Sequence, residues 1–184
     1  MRITGGNLRG RKIKVPKIEG VRPTSSRVRE ALFNIMGNIE GKRGLDLFSG
    51  SGIVAVEALS RGAESIVSIE SSGKVCRHLS DVAAQFKLLK QWHIQHQELP
   101  NGLDAWQGQS FDFVFADPPY RQYFPEKICS WLAIHQIETP LLILEESSQE
   151  SMQIPPEWEV STRKYGNTCL NFCHAIQANT PSLK

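Results

Sequence analysis

Two short stretches of this chain carry residue types that chemistry can use. One is Asp46-Leu47-Phe48-Ser49-Gly50-Ser51-Gly52; the other is Asp117-Pro118-Pro119-Tyr120. In the first, a carboxylate at a strand tip is followed by glycines, which let the backbone turn tightly, approach a ligand and start a helix. Glu70 ends the next apolar run, SIVSIE. An ionised carboxylate at that place has the acceptor geometry to take both hydroxyls of a ribose. Gly50, Gly52 and Ala55 also satisfy a loose G-x-G-x-x-A dinucleotide pattern. Charge separates the two readings, because Asp46 beside the turn repels a pyrophosphate but attracts the ammonium and sulfonium of S-adenosylmethionine. The methyl donor is therefore favoured over NAD as cofactor. Its candidate binding residues are Asp46, Phe48, Gly50, Gly52, Glu70 and Ser71, with Gln97 a candidate for the adenine ring.

The second stretch follows FDFVFA, an apolar run that places the tetrapeptide at the carboxyl edge of a sheet, where open α/β folds bind ligands. Pro118 and Pro119 lack N–H groups, so the segment presents carbonyl oxygens with few competing local donors. Together with the Asp117 carboxylate these can accept both protons of an amine. An amine on an aromatic base is a poor nucleophile because its lone pair is delocalised, and orienting it at a methyl sulfonium is most of the catalysis. Tyr120 would stack on an extruded base, a contact worth about 1–3 kcal/mol. Asp117, Pro118, Pro119 and Tyr120 are thus the candidate catalytic residues. Cytosine C5 methylation would need a nucleophilic cysteine, and none of Cys76, Cys129, Cys169 and Cys173 lies near this edge. Neither the cysteines nor the five histidines show a metal-ligand spacing, so no metal is expected.

The elements that must position these residues alternate. GLDLF, SIVSIE, Trp92–His96, Phe111–Ala116 and Leu141–Leu144 read as strands, with helices from Gly52 to Arg61, along Val75, Leu79, Val82 and Phe86, and near Glu126 to His135. Glu157–Lys164 and Cys169–Ile176 follow, joined by a turn too short for a crossover, so they should pair antiparallel. The expected fold is α/β: a Rossmann-like, mostly parallel seven-stranded sheet with an antiparallel last strand. Ahead of it, Arg2–Thr4 and Lys12–Val15 read as a basic hairpin. RPTSSRVREALFNIMG reads as a helix opened by Thr24 or Ser25, with Val28, Leu32, Ile35 and Met36 as its apolar stripe and Gly37 at its close.

Bulk properties suit one soluble domain. The chain has 184 residues, 40% apolar and 22% charged. It shows neither a run of membrane-spanning length nor a signal peptide, so a cytoplasmic monomer with no membrane partner is expected. Residues 1–43 form a basic extension, 44–178 the catalytic core and 179–184 a tail. The extension holds eleven Lys or Arg against three Glu, a local balance of +8, while the remaining 141 residues carry −6. A basic arm ahead of an acidic body is how many nucleic-acid enzymes grip phosphates, because Lys and Arg release condensed counterions. Arg9, Arg11, Lys12, Arg22, Arg27 and Arg29 are its candidate RNA contacts.

With RITGGNLRGRKI, RPTSSRVREALFN, DLFSGSG, EALSRGA, DPPY and KYGNTCLNF in view, the chain resembles the RsmD family, bacterial methyltransferases of a guanine N2 in 16S ribosomal RNA. The resemblance spans nearly the whole sequence. It implies a donor site at Asp46, Gly50, Gly52 and Glu70, a guanine-amine site at Asp117–Tyr120, and 16S rRNA or a small-subunit assembly particle as partner of the basic arm. Gln97 stands where the family usually has an acid or Asn, and Ala55 replaces a customary Gly. Transfer to adenine N6 or a protein glutamine, a nicotinamide-dependent oxidoreductase and a non-catalytic RNA-binding factor are the alternatives.

Overall fold

Short apolar runs bounded by glycine or polar turns become the strands of one sheet in the computed structural model, which describes residues 1–14, 23–119, 124–148 and 153–176. The strands are β1 (Arg43–Leu47), β2 (Ser65–Glu70), β3 (Trp92–His96), β4 (Phe113–Ala116), β5 (Leu141–Ser147), β6 (Trp158–Tyr165) and β7 (Thr168–Ala175). Four α-helices accompany them among the described residues: α1 (Ser26–Met36), α2 (Ile53–Ser60), α3 (Gly73–Phe86) and α4 (Phe124–Ile134). The strand order is β3-β2-β1-β4-β5-β7-β6. Parallel pairing runs from β3 to β5, and β7 pairs antiparallel with both β5 and β6. Gly166, at φ 63°, occupies the left-handed position of the two-residue loop that joins β6 to β7.

Each face of the sheet has its own core. Leu32 and Phe33 of α1, Val56 of α2 and Leu79 of α3 pack against Phe113, Phe115 and Phe172 on one face. On the other, Ile128 and Leu132 of α4 pack against Leu45, Val114, Leu142 and Leu144. Because β1 and β4 are covered on both sides, their residues are apolar almost without break, and the carboxylate of Asp46 inside β1 stands out against that background. Among the described residues no helix is long and apolar enough to cross a membrane.

The boundaries anticipated from sequence hold to within a few residues, and the differences have physical causes. Ser25, not Thr24, caps α1, its Oγ accepting from the Val28 N–H at 3.3 Å, and Gly37 closes the helix at φ 69°. Within α1 the anticipated stripe is rotated: Ile35 is 43% exposed, while Phe33 and Arg29 are buried. The rotation places Arg29 against a buried acid, Glu57. A 3-10 helix over Asn101–Trp106 carries no apolar period, so its sequence does not announce it. It is held by side-chain bonds, with Trp106 Nε1 donating to Gln95 Oε1 at 2.7 Å. Among the described residues, which leave out Val15, the basic hairpin shows one bridge, Arg2 to Lys12, and its tip bonds both to itself, with Arg9 N–H donating to the Gly6 carbonyl and Arg11 N–H to the Leu8 carbonyl, and to α2. Asn7 N–H donates to the Ser60 carbonyl, and the Thr4 and Gly5 N–H groups donate to Glu57.

Candidate donor and acceptor site

The sheet order reverses between β1 and β4, and this switch point is where a crevice opens at the carboxyl ends of parallel strands. The register places Leu47 beside Ala116, so Phe48 and Asp117 leave the sheet abreast. The two sequence stretches singled out above, about 70 residues apart in the chain, thus meet at one place. Thr24, Asp46, Ser49, Gly50, Phe115 and Asp117 line a crevice there that encloses about 20 Å³, room for roughly one water.

Asp46 does not sit at the strand tip but one residue inside it, 3% exposed. Its Oδ2 accepts from Ser68 Oγ at 3.3 Å, and Ser68 Oγ accepts from Trp92 Nε1 at 2.9 Å. Burial pushes its pKa from 3.8 up to about 7, a rise that the hydroxyls of Ser49 and Ser68 only partly offset. A carboxylate desolvated in this way at a crevice wall attracts any cation that reaches it.

Glu70, at the end of β2, accepts the Gly50 N–H on Oε2 at 3.0 Å and the Ser72 N–H on Oε1 at 2.8 Å. A carboxylate has about four acceptor positions, so fixing the glycine turn in this way is compatible with taking a ribose as well. The two glycines differ in role. Gly50, at φ 48°, is half-buried at the turn, whereas Gly52, at φ 68°, is buried. A Cβ on Gly52 would meet Leu79 Cδ2 at 2.5 Å and Trp92 Cη2 at 2.8 Å. Gly52 is therefore required for packing of α2 against α3 and β3, a reason the dinucleotide-like pattern does not reveal. Phe48 takes a left-handed φ of 60° and stacks edge-on with Phe124 at 5.0 Å. A bulky residue held there stores strain of order 1–3 kcal/mol, at the point where the chain leaves β1 for the crevice.

Gln97 lies just past β3, exposed, with its N–H donating to the Glu70 carbonyl, and Ser71 is exposed beside it. Both stand on the Glu70 side of the turn. Asp117 is half-buried, Pro118 buried and Pro119 exposed; Tyr120 and Arg22 lie outside the described residues.

Comparison with known proteins decides the family. The family model described as "Conserved hypothetical protein 95" matches residues 1–174. The protein "Ribosomal RNA small subunit methyltransferase D" of Escherichia coli K12 is 33% identical over 172 residues, 89% of this chain and 84% of that protein. Its namesake in Haemophilus influenzae is 34% identical over 169 residues, 89% of this chain and 88% of its own length. The chain belongs to the RsmD family of methyltransferases. The solved structure of yhhF from Escherichia coli superposes with a TM-score of 0.82 at 31% identity, over 95% of this chain and 97% of that one. The METTL16 methyltransferase domain shares the fold alone, with a TM-score of 0.74 at 15% identity over 90% of this chain and 74% of that one.

The family's basic arm is distributed in a way that sequence adjacency hides. Arg9, Arg11, Lys12 and Arg27 are exposed. Arg29 is not a phosphate contact: it is 0% exposed. Its Nη1 donates to the Thr24 carbonyl at 2.6 Å, its Nη2 to the Arg2 carbonyl at 2.7 Å, and its Nε lies 3.6 Å from Glu57 Oε2. Burial lowers its pKa, and the adjacent Glu57 carboxylate opposes that shift. Arg29 is a structural hub joining the first residues, the start of α1 and the middle of α2. Thr24, which it orients, lines the crevice and donates through Oγ1 to Glu145 Oε2 at 3.0 Å. Sequence reading missed Thr24 as a crevice residue, although its place just before a capped helix was visible.

The tip of the arm lies far from the crevice. Gly6 is packed against Ser60 at the end of α2, and the Arg11 guanidinium lies 4.6 Å from the ring of Phe86 at the end of α3. Both helices start at the carboxyl edge, so the tip is docked at their opposite ends, about 20 Å away for a 14-residue helix. Arg27, in the first turn of α1, is an exposed arginine near the crevice.

Proposed function

We propose that this chain transfers the methyl group of S-adenosylmethionine to the exocyclic N2 amine of a guanine in 16S ribosomal RNA. The observation that carries the reading is the pairing, at one switch point, of a buried carboxylate that favours a cation with a proline-fixed turn of acceptors. The names of the full-length relatives, ribosomal RNA small subunit methyltransferases, support the substrate class.

The residues present fit the donor. Asp46 attracts its charged sulfur and amine end, Glu70 takes the ribose, and Ser71 and Gln97 flank the adenine. The crevice of about 20 Å³ cannot enclose the donor, which would lie across the open side of the glycine turn. When bound, S-adenosylmethionine supplies an electrophilic methyl group on sulfur. The protein's own part is to hold the acceptor. Asp117 and the carbonyls of the Pro118–Pro119 turn accept the two N–H protons of the amine, which directs its lone pair at the methyl carbon. As the C–N bond forms, the bond from the methyl carbon to sulfur would break, leaving S-adenosylhomocysteine, and the proton that the amine loses would pass to the Asp117 carboxylate. Tyr120 would stack on the base. Arg27 would grip phosphates beside the crevice, with Arg9, Arg11 and Lys12 extending that grip along the α2–α3 side and Arg22 adding a further RNA contact. The protein would act as a monomer of one methyltransferase domain on 16S rRNA or a small-subunit assembly particle in the cytoplasm.

The test is methyl transfer from tritiated S-adenosylmethionine to small subunits from cells lacking the enzyme, followed by digestion to nucleosides. Label in N2-methylguanosine that disappears in Asp117→Ala supports the reading. Label in another nucleoside keeps the methyltransferase and overturns the acceptor, and donor binding without any transfer overturns catalysis.

A further inference from the structure

A basic element stands inside the acidic core. From residue 44 onward the chain carries −6, yet residues 73–90 within it carry +3, which leaves −9 for the remainder. Those residues are α3 and the turn after it, with Lys74, Arg77, Lys87 and Lys90 against Asp81. All four cations are exposed, and none of them lines the crevice. Lys87 caps the helix at a left-handed φ of 59°, its N–H donating to the Ala83 and Ala84 carbonyls. The Gln91 N–H donates to the Leu88 carbonyl and closes the turn that presents Lys90.

The hairpin lies along the same helix. The Arg11 guanidinium sits 4.6 Å from the ring of Phe86, the last residue of α3, and the Lys14 backbone reaches the ring of His78. Those helix positions are eight residues apart, about 12 Å along the axis, so the second limb of the hairpin runs beside α3 from its end towards its start. The limb brings Arg11, Lys12 and Lys14, all exposed, and residues 1–14 hold five cations and no acid. Ion pairs among the described residues join Arg29 and Arg61 to Glu57 and His135 to Asp104, so the cations of limb and helix are not neutralised. Two acids stand near them, Asp81 on the helix and Glu64 level with Lys90 by the β2–β3 register, and neither forms an ion pair with them.

We infer that α3 is a second RNA-binding element, which with the hairpin limb holds the phosphate backbone along a path of about 20 Å from the donor edge to the hairpin tip. The inference rests on the reading given above that the chain acts on ribosomal RNA. α3 begins just after Ser72, whose N–H donates to Glu70, so Lys74 and Arg77 stand nearest the crevice and Lys87 and Lys90 farthest from it. Exposed ammonium and guanidinium groups in two adjacent rows bind a polyanion by releasing its condensed counterions. Such contacts set the position of the strand and leave the choice of base to the crevice. The acidic remainder of the core repels the same backbone, which confines it to this face.

The experiment measures how affinity for small subunits from cells lacking the enzyme falls with salt, for the wild type and two double variants. Lys87→Gln/Lys90→Gln removes two cations from the far end of the path. Arg163→Gln/Lys164→Gln removes two exposed cations from β6, at the opposite edge of the sheet from β3, and is the control of equal net charge. The slope of log affinity against log salt should become shallower by about 1.4–1.8 in the first double, at about 0.7–0.9 per phosphate contact, and keep its wild-type value in the second. Arg77→Gln, at the near end, should lose about half as much, and it serves if the first double variant melts early. The Kd for S-adenosylmethionine should stay unchanged throughout. An unchanged slope in the first double and in Arg77→Gln, or an equal loss in both doubles, would overturn the inference, and if the wild type still forms N2-methylguanosine the proposed function stands without it. A slope that falls only in the α3 variants, with no N2-methylguanosine from the wild type, would keep the surface and overturn the acceptor.

Discussion

Replacing Asp46 with Asn should make the protein more stable at pH 8 and abolish its use of the donor. Burial raises the Asp46 pKa from 3.8 to about 7. At about 1.36 kcal/mol per pH unit, that difference corresponds to an upper figure of about 4 kcal/mol. The sign follows from the direction. The folded protein holds the proton more tightly than the unfolded chain, so this stability is present below about pH 4, falls as pH rises towards 7, and is gone above it. The asparagine amide would not titrate, and its Oδ1 could keep accepting from Ser68, the donor to Asp46 Oδ2. The melting temperature of Asp46→Asn relative to wild type should therefore rise between pH 4 and pH 8, by up to roughly 8–16 °C for a chain of this size. Other carboxylates titrate in both proteins and cancel in the difference. At pH 8, S-adenosylmethionine should raise the melting temperature of the wild type but not of the variant, and wild-type donor affinity should fall as pH drops below about 7. A stability difference that does not change with pH would refute the view that Asp46 is a buried carboxylate kept ionised for a cationic ligand.

Three further outcomes can be checked alongside. Arg29→Met should destabilise the protein by about 1–3 kcal/mol in chemical denaturation, because it leaves the Thr24 and Arg2 carbonyls without their donor while Glu57 keeps its pairing with Arg61, whereas exposed Arg27→Ala should change stability by less than about 0.5 kcal/mol and lower RNA affinity and its salt dependence instead. Gly52→Ala should cost more than about 2 kcal/mol, since its Cβ meets Leu79 and Trp92 and its φ is left-handed, while Gly10→Ala, left-handed but in open space, should cost about 1 kcal/mol; urea midpoints compare them. Glu70→Gln can keep one of the two N–H partners of its carboxylate, Gly50 or Ser72, so donor Kd measured by calorimetry should rise at least about tenfold, the size of one charge-assisted bond.

What the sequence alone determined is what depends on local spacing. Apolar runs, unbroken in β1 and β4 and of period 3.6 in α1 and α3, specify the strands and α-helices, the glycines of the Asp46–Gly52 turn specify a strand-to-helix turn, and Pro118–Pro119 specify a rigid exit from β4. These features are written in neighbouring residues, and the family follows from them because its motifs are contiguous. The tertiary structure decided everything that depends on which side of an element faces which neighbour. Arg29 reads as one more cation of a basic helix until the 100° turn per residue aims it at Glu57, 28 positions away. The hairpin reads only as a basic arm ahead of the core until its bonds to Ser60 and Glu57 dock its tip on the second half of α2. Asp46 reads as a strand-tip acid until its burial raises its pKa. Burial, register and charge pairing arise between residues distant in the chain, and they become visible only when the chain is folded.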